Sequence, residues 1–222
     1  LQSSRTLNVE LDEESKELKE VVISGQKTEI EANVKSVQMS VAKMDIKTIK
    51  SIPPLLGEVD LVRAVQLLPG VTTVGEGAQG FNVRGGSIDQ NLILLDEAPV
   101  FNSSHLLGFF SVFNPDAVKD VKLYKGGIPS QYGGRISSIL DVRMKEGNSK
   151  KLEVNGGIGT IMSRFSIEGP IKKDKASFIL AGRRSYIDVL AAPFLSASAD
   201  NSRLYFYDLS GTLNSINDDN HT

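Results

Sequence analysis

The chain has 222 residues, enough for one or two domains with a real core. Its 25 basic and 27 acidic residues leave no charge surplus that would point to nucleic acid or an anionic membrane surface. There is no cysteine, which excludes disulfides, thiolate chemistry and cysteine-based metal sites, and no apolar run approaches the ~18 residues of a membrane helix. Leu1 opens the chain without the charged and apolar regions of an export signal, as a mature or shortened N-terminus also would.

Taken in order, Leu7, Val9 and Leu11 alternate at period two before an acidic turn at residues 12–14, which predicts a short strand. Residues 18–25 are a β-branched run flanked by charges, with a polar tract over residues 26–33 behind it. Strand addition to a partner needs these features, because backbone amides supply the affinity and a slack tail supplies the reach. Val37, Met39 and Val41 alternate loosely and predict a strand over residues 37–44. A short helix is expected over residues 45–51, stopped by Pro53 and Pro54. A stronger helix opens at Gly57, with Leu61, Val62, Val65 and Leu68 in one apolar stripe. Glu58 and Asp60 stand at the positive end of its dipole, and Pro69-Gly70 ends it.

Gly75, Gly77 and Gly80 spell a G-x-G-x-x-G. A dinucleotide site requires a helix that begins in this motif and receives the pyrophosphate. Here the motif runs into Phe81–Arg84, which reads as strand, so a loop is expected instead. Residues 91–96 and 121–127 are short apolar or alternating runs closed by an acidic turn and a glycine pair. Between them, residues 100–113 mix Asn102, Ser103, Ser104 and His105 with Phe101, Phe109 and Phe110. A lone His beside Ser, with no G-x-S-x-G elbow and no ligand cluster, assigns neither a catalytic residue nor a metal site. Leu140, Val142 and Met144 alternate with Asp141, Arg143 and Lys145, predicting a half-buried strand.

From Leu152 the character changes to longer strands with one apolar and one polar face. Val154, Gly156 and Ile158 alternate with Glu153, Asn155 and Gly157; Phe165 and Ile167 with Arg164 and Glu168; Tyr207, Leu209, Gly211 and Leu213 with Asp208, Ser210, Thr212 and Asn214. This is the pattern of transmembrane β-barrel strands, with Tyr205 and Tyr207 placed for an interfacial girdle, although a soluble sandwich face reads alike. Residues 177–190 alternate poorly, since Arg183 and Arg184 are adjacent. Four strands cannot close, and an open edge in lipid is not viable, so the chain is expected to be a fragment. Residues 217–220 read as a turn.

In this order, residues 80–86 (Gly80, Phe81, Asn82, Val83, Arg84, Gly85, Gly86), 91–96, 121–127, 129–135 and 140–144 resemble the plug of a TonB-dependent outer-membrane receptor. The resemblance covers about residues 36–147 and looks closest to receptors of Bacteroidetes-type bacteria. It implies an α+β plug, a small mixed sheet with short helices, followed by antiparallel strands of an incomplete transmembrane β-barrel. The domains would be the end of a β-sandwich-like domain (1–17), a TonB box and linker (18–35), the plug (36–148) and the first barrel strands (149–222).

The same resemblance implies the N-terminal part of an active transporter that binds a scarce ligand and imports it into the periplasm, driven by TonB with ExbB and ExbD. Such a protein is not an enzyme and carries no cofactor. Glu20, Val21, Val22, Ile23 and Ser24 would be the TonB box. Arg84 would latch the plug to acidic groups of the barrel wall. Phe101, Asn102, Ser103 and His105 would face the ligand, which could be a siderophore, cobalamin, a peptide or a glycan. Tyr124–Gly127 departs from the Lys-Asp-Ala-type segment of SusC-like glycan importers, which argues against a SusD-type lid. Outer-membrane lipid and an outer-membrane lipoprotein complete the expected partners; nucleic acid is not among them. The expected location is the outer membrane with the plug facing the periplasm. The alternative is an outer-membrane signal-transducing receptor acting on an anti-sigma system.

Overall fold

The computed structural model describes residues 40–54, 57–73, 75, 80–105, 108–191 and 205–215. The strand around Leu7, the Glu20–Ser24 segment, the start of the strand over residues 37–44 and the turn at 217–220 lie outside them.

Strand β1 (Val41–Asp45) leads directly into helix α1 (Ile46–Ser51). Helix α2 (Leu61–Gln66) begins four residues later than Gly57. Asp60 sets that start: it is extended, and its carboxylate accepts the Arg63 amide at 3.0 Å, as an N-cap does. Leu61, Val62, Ala64 and Val65 of this helix are buried. The other Asp60 oxygen accepts the Ser111 amide at 2.5 Å. Asp60→Ala is therefore expected to destabilise the protein by about 1–2 kcal/mol, read as a lower urea midpoint. An unchanged midpoint would show that the cap contributes nothing.

Strands β2 (Val71–Thr73) and β3 (Phe81–Val83) pair antiparallel, and Gly80 leads into β3 rather than into a helix. Then come β4 (Asn91–Leu95), β5 (Ala98–Pro99), the small hairpin β6 (Ser104–His105) and β7 (Phe110–Ser111), β8 (Val118–Tyr124) and β9 (Ser138–Met144). The main sheet has the order β1-β8-β9-β4-β5; β4 and β9 are parallel and the other pairs antiparallel. Asn91 ties three strands together. Its amide donates to the Phe81 carbonyl at 2.6 Å, and its side-chain oxygen accepts the Ser138 hydroxyl at 2.7 Å.

The alternation of β9 suggested a strand with one wet face. Instead β9 is central, and Ser138–Val142 are buried on both faces. Leu140 and Val142 join the main core with Leu61, Val65, Phe81, Phe113 and Val121. Ile139 packs on the other face with Leu94 and Tyr124, under Ile128 and Tyr132. Asp141 is tolerated there because Arg143 Nε lies 3.1 Å from its carboxylate.

Strands β10 (Glu153–Ile158), β11 (Met162–Lys172), β12 (Ala176–Ser185) and β13 (Tyr207–Ser215) form a separate antiparallel meander. Helix α3 (Ile187–Ala191) ends the stretch predicted as a longer strand. Register settles the facing of β12. Phe165, Gly182 and Leu209 lie in one row, and Arg164, Arg183 and Asp208 in the next. Val154, Ile158, Phe165, Leu180, Tyr207, Leu209 and Leu213 thus share an exposed apolar face. Ser177, Ile179, Ala181, Arg183 and Ser185 are buried on the opposite face, toward the plug. Arg183 and Arg184 point to opposite sides, so their adjacency is no defect in the alternation. Among the described residues the meander does not close.

Candidate functional site: the seam between plug and wall

Two arginines on the inner face of the wall reach into the plug. Arg164 of β11 donates from Nη1 to Glu58 at 2.9 Å, and its Nε lies 3.0 Å from Asp116. The two carboxylates are only 3% and 7% exposed, and Lys50 Nζ holds the second Asp116 oxygen at 2.6 Å. Two plug carboxylates are therefore neutralised by one plug cation and one wall cation. Buried charges persist only when each is paired, and the planar guanidinium fork can serve two acceptors at once. The turn at Asn114-Pro115 presents Asp116: the Asn114 side chain accepts the Asp116 amide at 3.0 Å. Glu58, expected at a helix start, is instead part of this buried pairing.

Arg183 of β12 builds a second cluster. Its Nε donates to Asp208 of β13 at 2.6 Å, and its Nη2 donates to the Ser111 carbonyl of β7. The other Asp208 oxygen lies 2.6 Å from His105 Nε2. The His105 ring stacks on Phe206 with centroids 4.4 Å apart, and the Arg183 guanidinium lies 5.4 Å from the same ring. Lys145 with Glu168 at 3.5 Å, and the Ser177 hydroxyl donating to the Glu146 carbonyl at 2.6 Å, extend the seam. Its apolar part is small: Phe110, Met162 and Phe206, with Ile161 beside them.

The positions expected from the sequence divide. Glu20, Val21, Val22, Ile23 and Ser24 lie outside the described residues. Arg84 is exposed at φ +49°, and its Nη2 donates to the Ser40 hydroxyl at 3.0 Å; no carboxylate pairs with it among the described residues. Phe101, Asn102 and Ser103 come together in a cleft of about 260 Å³, with Ile88, Asp89 and Arg135 opposite. Phe101 is 90% exposed. His105 is not in that cleft, being turned to Asp208 and Phe206. Burial pushes the Tyr124 phenol above its ordinary 10.0, and Tyr132 and Asp141 act in the same sense. Glu58, Asp116, Arg164, Arg183 and Asp208 were not assigned to a site from the sequence. The available signal was phase: Arg164, Glu168, Arg183 and Asp208 all fall on the polar face of their strands.

A small mixed sheet is thus pinned by buried ion pairs to the polar face of an antiparallel sheet whose other face is apolar, the two-faced alternation that membrane barrel strands also have. Residues 33–138 match the TonB-dependent Receptor Plug Domain family, and the antiparallel meander of β10 to β13 follows the matched segment. In structure it is similar to the siderophore receptor PirA from Pseudomonas aeruginosa, at 20% identity and a TM-score of 0.53, over 78% of this chain and 32% of that one. It is also similar to the siderophore receptor PirA from Acinetobacter baumannii, at 19% identity and a TM-score of 0.52, over 67% of this chain and 25% of that one. The chain thus spans about a third or less of the length of these receptors. No curated protein matches it in sequence.

Proposed function

We propose that this chain is the N-terminal part of a transporter that binds a scarce ligand on the outer side of the plug and imports it into the periplasm, driven by TonB with ExbB and ExbD. The observation that carries this reading is the chemistry of the seam. An apolar seam would lose roughly 25 cal/mol for every Å² of apolar surface exposed on separation. Charged and hydroxyl groups regain water when they part, so a plug held mainly by Arg164, Arg183 and their carboxylates is suited to reversible displacement.

In this reading residues 18–35 are box and linker, 36–148 the plug and 149–222 the first barrel strands, in the outer membrane with the plug facing the periplasm. Glu20–Ser24 is the strand captured by TonB. Arg84 is a further latch whose carboxylate partner belongs to wall strands beyond those described. No bond of the ligand is broken, so the chain performs no catalysis.

A peptide of residues 18–33 is expected to bind the periplasmic C-terminal domain of TonB in isothermal titration. Val22→Pro, which removes one ladder donor, is expected to abolish that binding. Absence of binding in both forms would overturn the assignment of the box.

A further inference from the structure

The exposed apolar face of the meander ends in two different ways. At one end its last row is Leu152, which reaches over Gly169, with Phe178 and Leu213 beside it. Past this row stand Lys150 and Lys151, just before β10, and Lys172, Lys173 and Lys175, around the turn from β11 to β12. In residues 150–153 and 171–175 five lysines thus face two carboxylates, Glu153 and Asp174, although the whole chain has 25 basic and 27 acidic residues. Lys151 lies 2.8 Å from Glu153, while Lys150, Lys172 and Lys173 pair with no carboxylate among the described residues. These three lysines are exposed, and so are the neighbouring Leu152 and Ile171, at 61% and 62%. The opposite end of the face carries Tyr205 and Tyr207, with the Arg184 guanidinium 5.8 Å from the Tyr205 ring.

Backbone bonds hold the two lysine segments together. The Asn148 side-chain oxygen accepts the amides of Lys150 and Lys151 at 2.9 and 3.1 Å, and the Ser149 carbonyl accepts the Asp174 amide at 3.0 Å. The turn closes through the Lys175 amide, which donates to the Lys172 carbonyl at 3.0 Å, with Asp174 left-handed at φ +59°. On the side toward the plug, Lys145 is matched by Glu168 at 3.5 Å. The protein therefore neutralises its inward cation and leaves Lys150, Lys172 and Lys173 unmatched. Gathered like charges repel one another unless an anion lies among them. The longest connection of the meander, residues 186–206, is at the opposite end. Membrane barrels carry their longer loops outside and their short turns in the periplasm, which makes the lysine end the periplasmic one.

We propose that this rim binds anionic phospholipids of the periplasmic leaflet: Lys150, Lys172 and Lys173 hold the phosphodiester of the headgroup, and Leu152 and Ile171 lie against the acyl chains. The proposal rests on the outer-membrane reading for the presence of lipid at this face. Lysine meets phosphate as a point charge, and its long stem can lie along apolar surface while the ammonium stays at headgroup level. The exposed apolar row directly beside the lysines selects a partner with a hydrocarbon tail, which a free phosphate lacks. A zwitterionic headgroup brings its own cation beside the phosphate, so the rim discriminates against it. Each lysine close to an anionic lipid surface contributes about fivefold in affinity.

The sequence has no tryptophan, so Leu152→Trp sets a single fluorescent reporter at the lysine end and Tyr207→Trp sets one at the other, both at exposed positions. The full chain is folded in mixed micelles, and quenching is measured with brominated phosphatidylglycerol and with brominated phosphatidylcholine. Phosphatidylglycerol is expected to bind beside position 152 about tenfold or more tightly than phosphatidylcholine, with the two equal to within about twofold beside position 207. Lys150→Gln, Lys172→Gln and Lys173→Gln together are expected to bring the ratio at position 152 close to one. Salt at about 0.5 M is expected to lower it several-fold, because exposed charges are screened. The proposal is overturned if the ratio at position 152 is already close to one, if the triple substitution leaves it unchanged, or if position 207 shows the same preference. It is also overturned if inorganic phosphate at equal ionic strength removes the preference completely, since the rim would then take a free anion. Quenching by both lipids without preference sinks the headgroup site alone. Quenching by neither lipid at either position sinks the membrane reading with it, so the two failures are distinguishable.

Discussion

Arg164→Ala is expected to destabilise the docking of the plug on the wall by about 3–5 kcal/mol, the range for breaking a buried pair and leaving its partner charged. The substitution strips Glu58 of its cation and leaves Asp116 with Lys50 alone. Neither carboxylate can turn to solvent, since both are almost fully buried. The penalty thus comes from two stranded charges more than from the attraction lost. A second set of variants separates these terms. Arg164→Leu combined with Glu58→Gln and Asp116→Asn removes the stranded charges together with the guanidinium, and is expected to recover much of the loss. Arg164→Lys keeps the charge but not the fork, and is expected to fall between. Urea midpoints of the four proteins give the order directly. A cost below about 1 kcal/mol for Arg164→Ala, typical of a solvated surface pair, would sink the seam as the plug's attachment.

Gly147→Ala is expected to destabilise by about 3 kcal/mol or more, the size reserved for a named steric or burial defect. Gly147 lies between the last plug strand, ending at Met144, and the first wall strand, beginning at Glu153. Its φ of +84° already costs an alanine about 1 kcal/mol or more. A β-carbon there would stand 2.3 Å from the carbonyl oxygen of Phe178 and 2.7 Å from its carbonyl carbon. Those atoms belong to β12, paired on both sides with β11 and β13, so no side-chain rotation relieves the contact. Gly133 is the matched control, since a β-carbon there meets nothing within 4 Å and the backbone is not left-handed. Gly133→Ala is expected to stay within about 0.5 kcal/mol of the parent. Equal urea midpoints for the two variants would mean that the chain does not pass this close to the wall.

Much of the plug was legible because its signals are local. Pro53 and Pro54 end a helix by geometry, and Asn91–Leu95 and Val118–Tyr124 are short β-rich runs bounded by turn residues. The G-x-G-x-x-G stretch was read as running into a strand, and β3 begins at Phe81. The misreadings share a cause. The start of α2 depends on the side-chain cap at Asp60, and β9 looks half-wet because Asp141 and Arg143 compensate each other within a buried strand. His105 stands apart from its sequence neighbours Phe101–Ser103, since in β6 its ring meets Asp208 of β13.

By itself the sequence determined the classes of segment: a mixed, glycine-punctuated plug, then strands with one apolar and one polar face. Alternation and turn chemistry depend on neighbours a few residues apart, so they are written in order along the chain. Only the tertiary structure decided which charges meet. Glu58 and Arg164 are 106 residues apart, and His105 and Asp208 are 103 apart. Pairings over that distance depend on strand register and on how the plug seats against the wall. A charge pattern read along one strand carries the phase of a residue but not the identity of its partner.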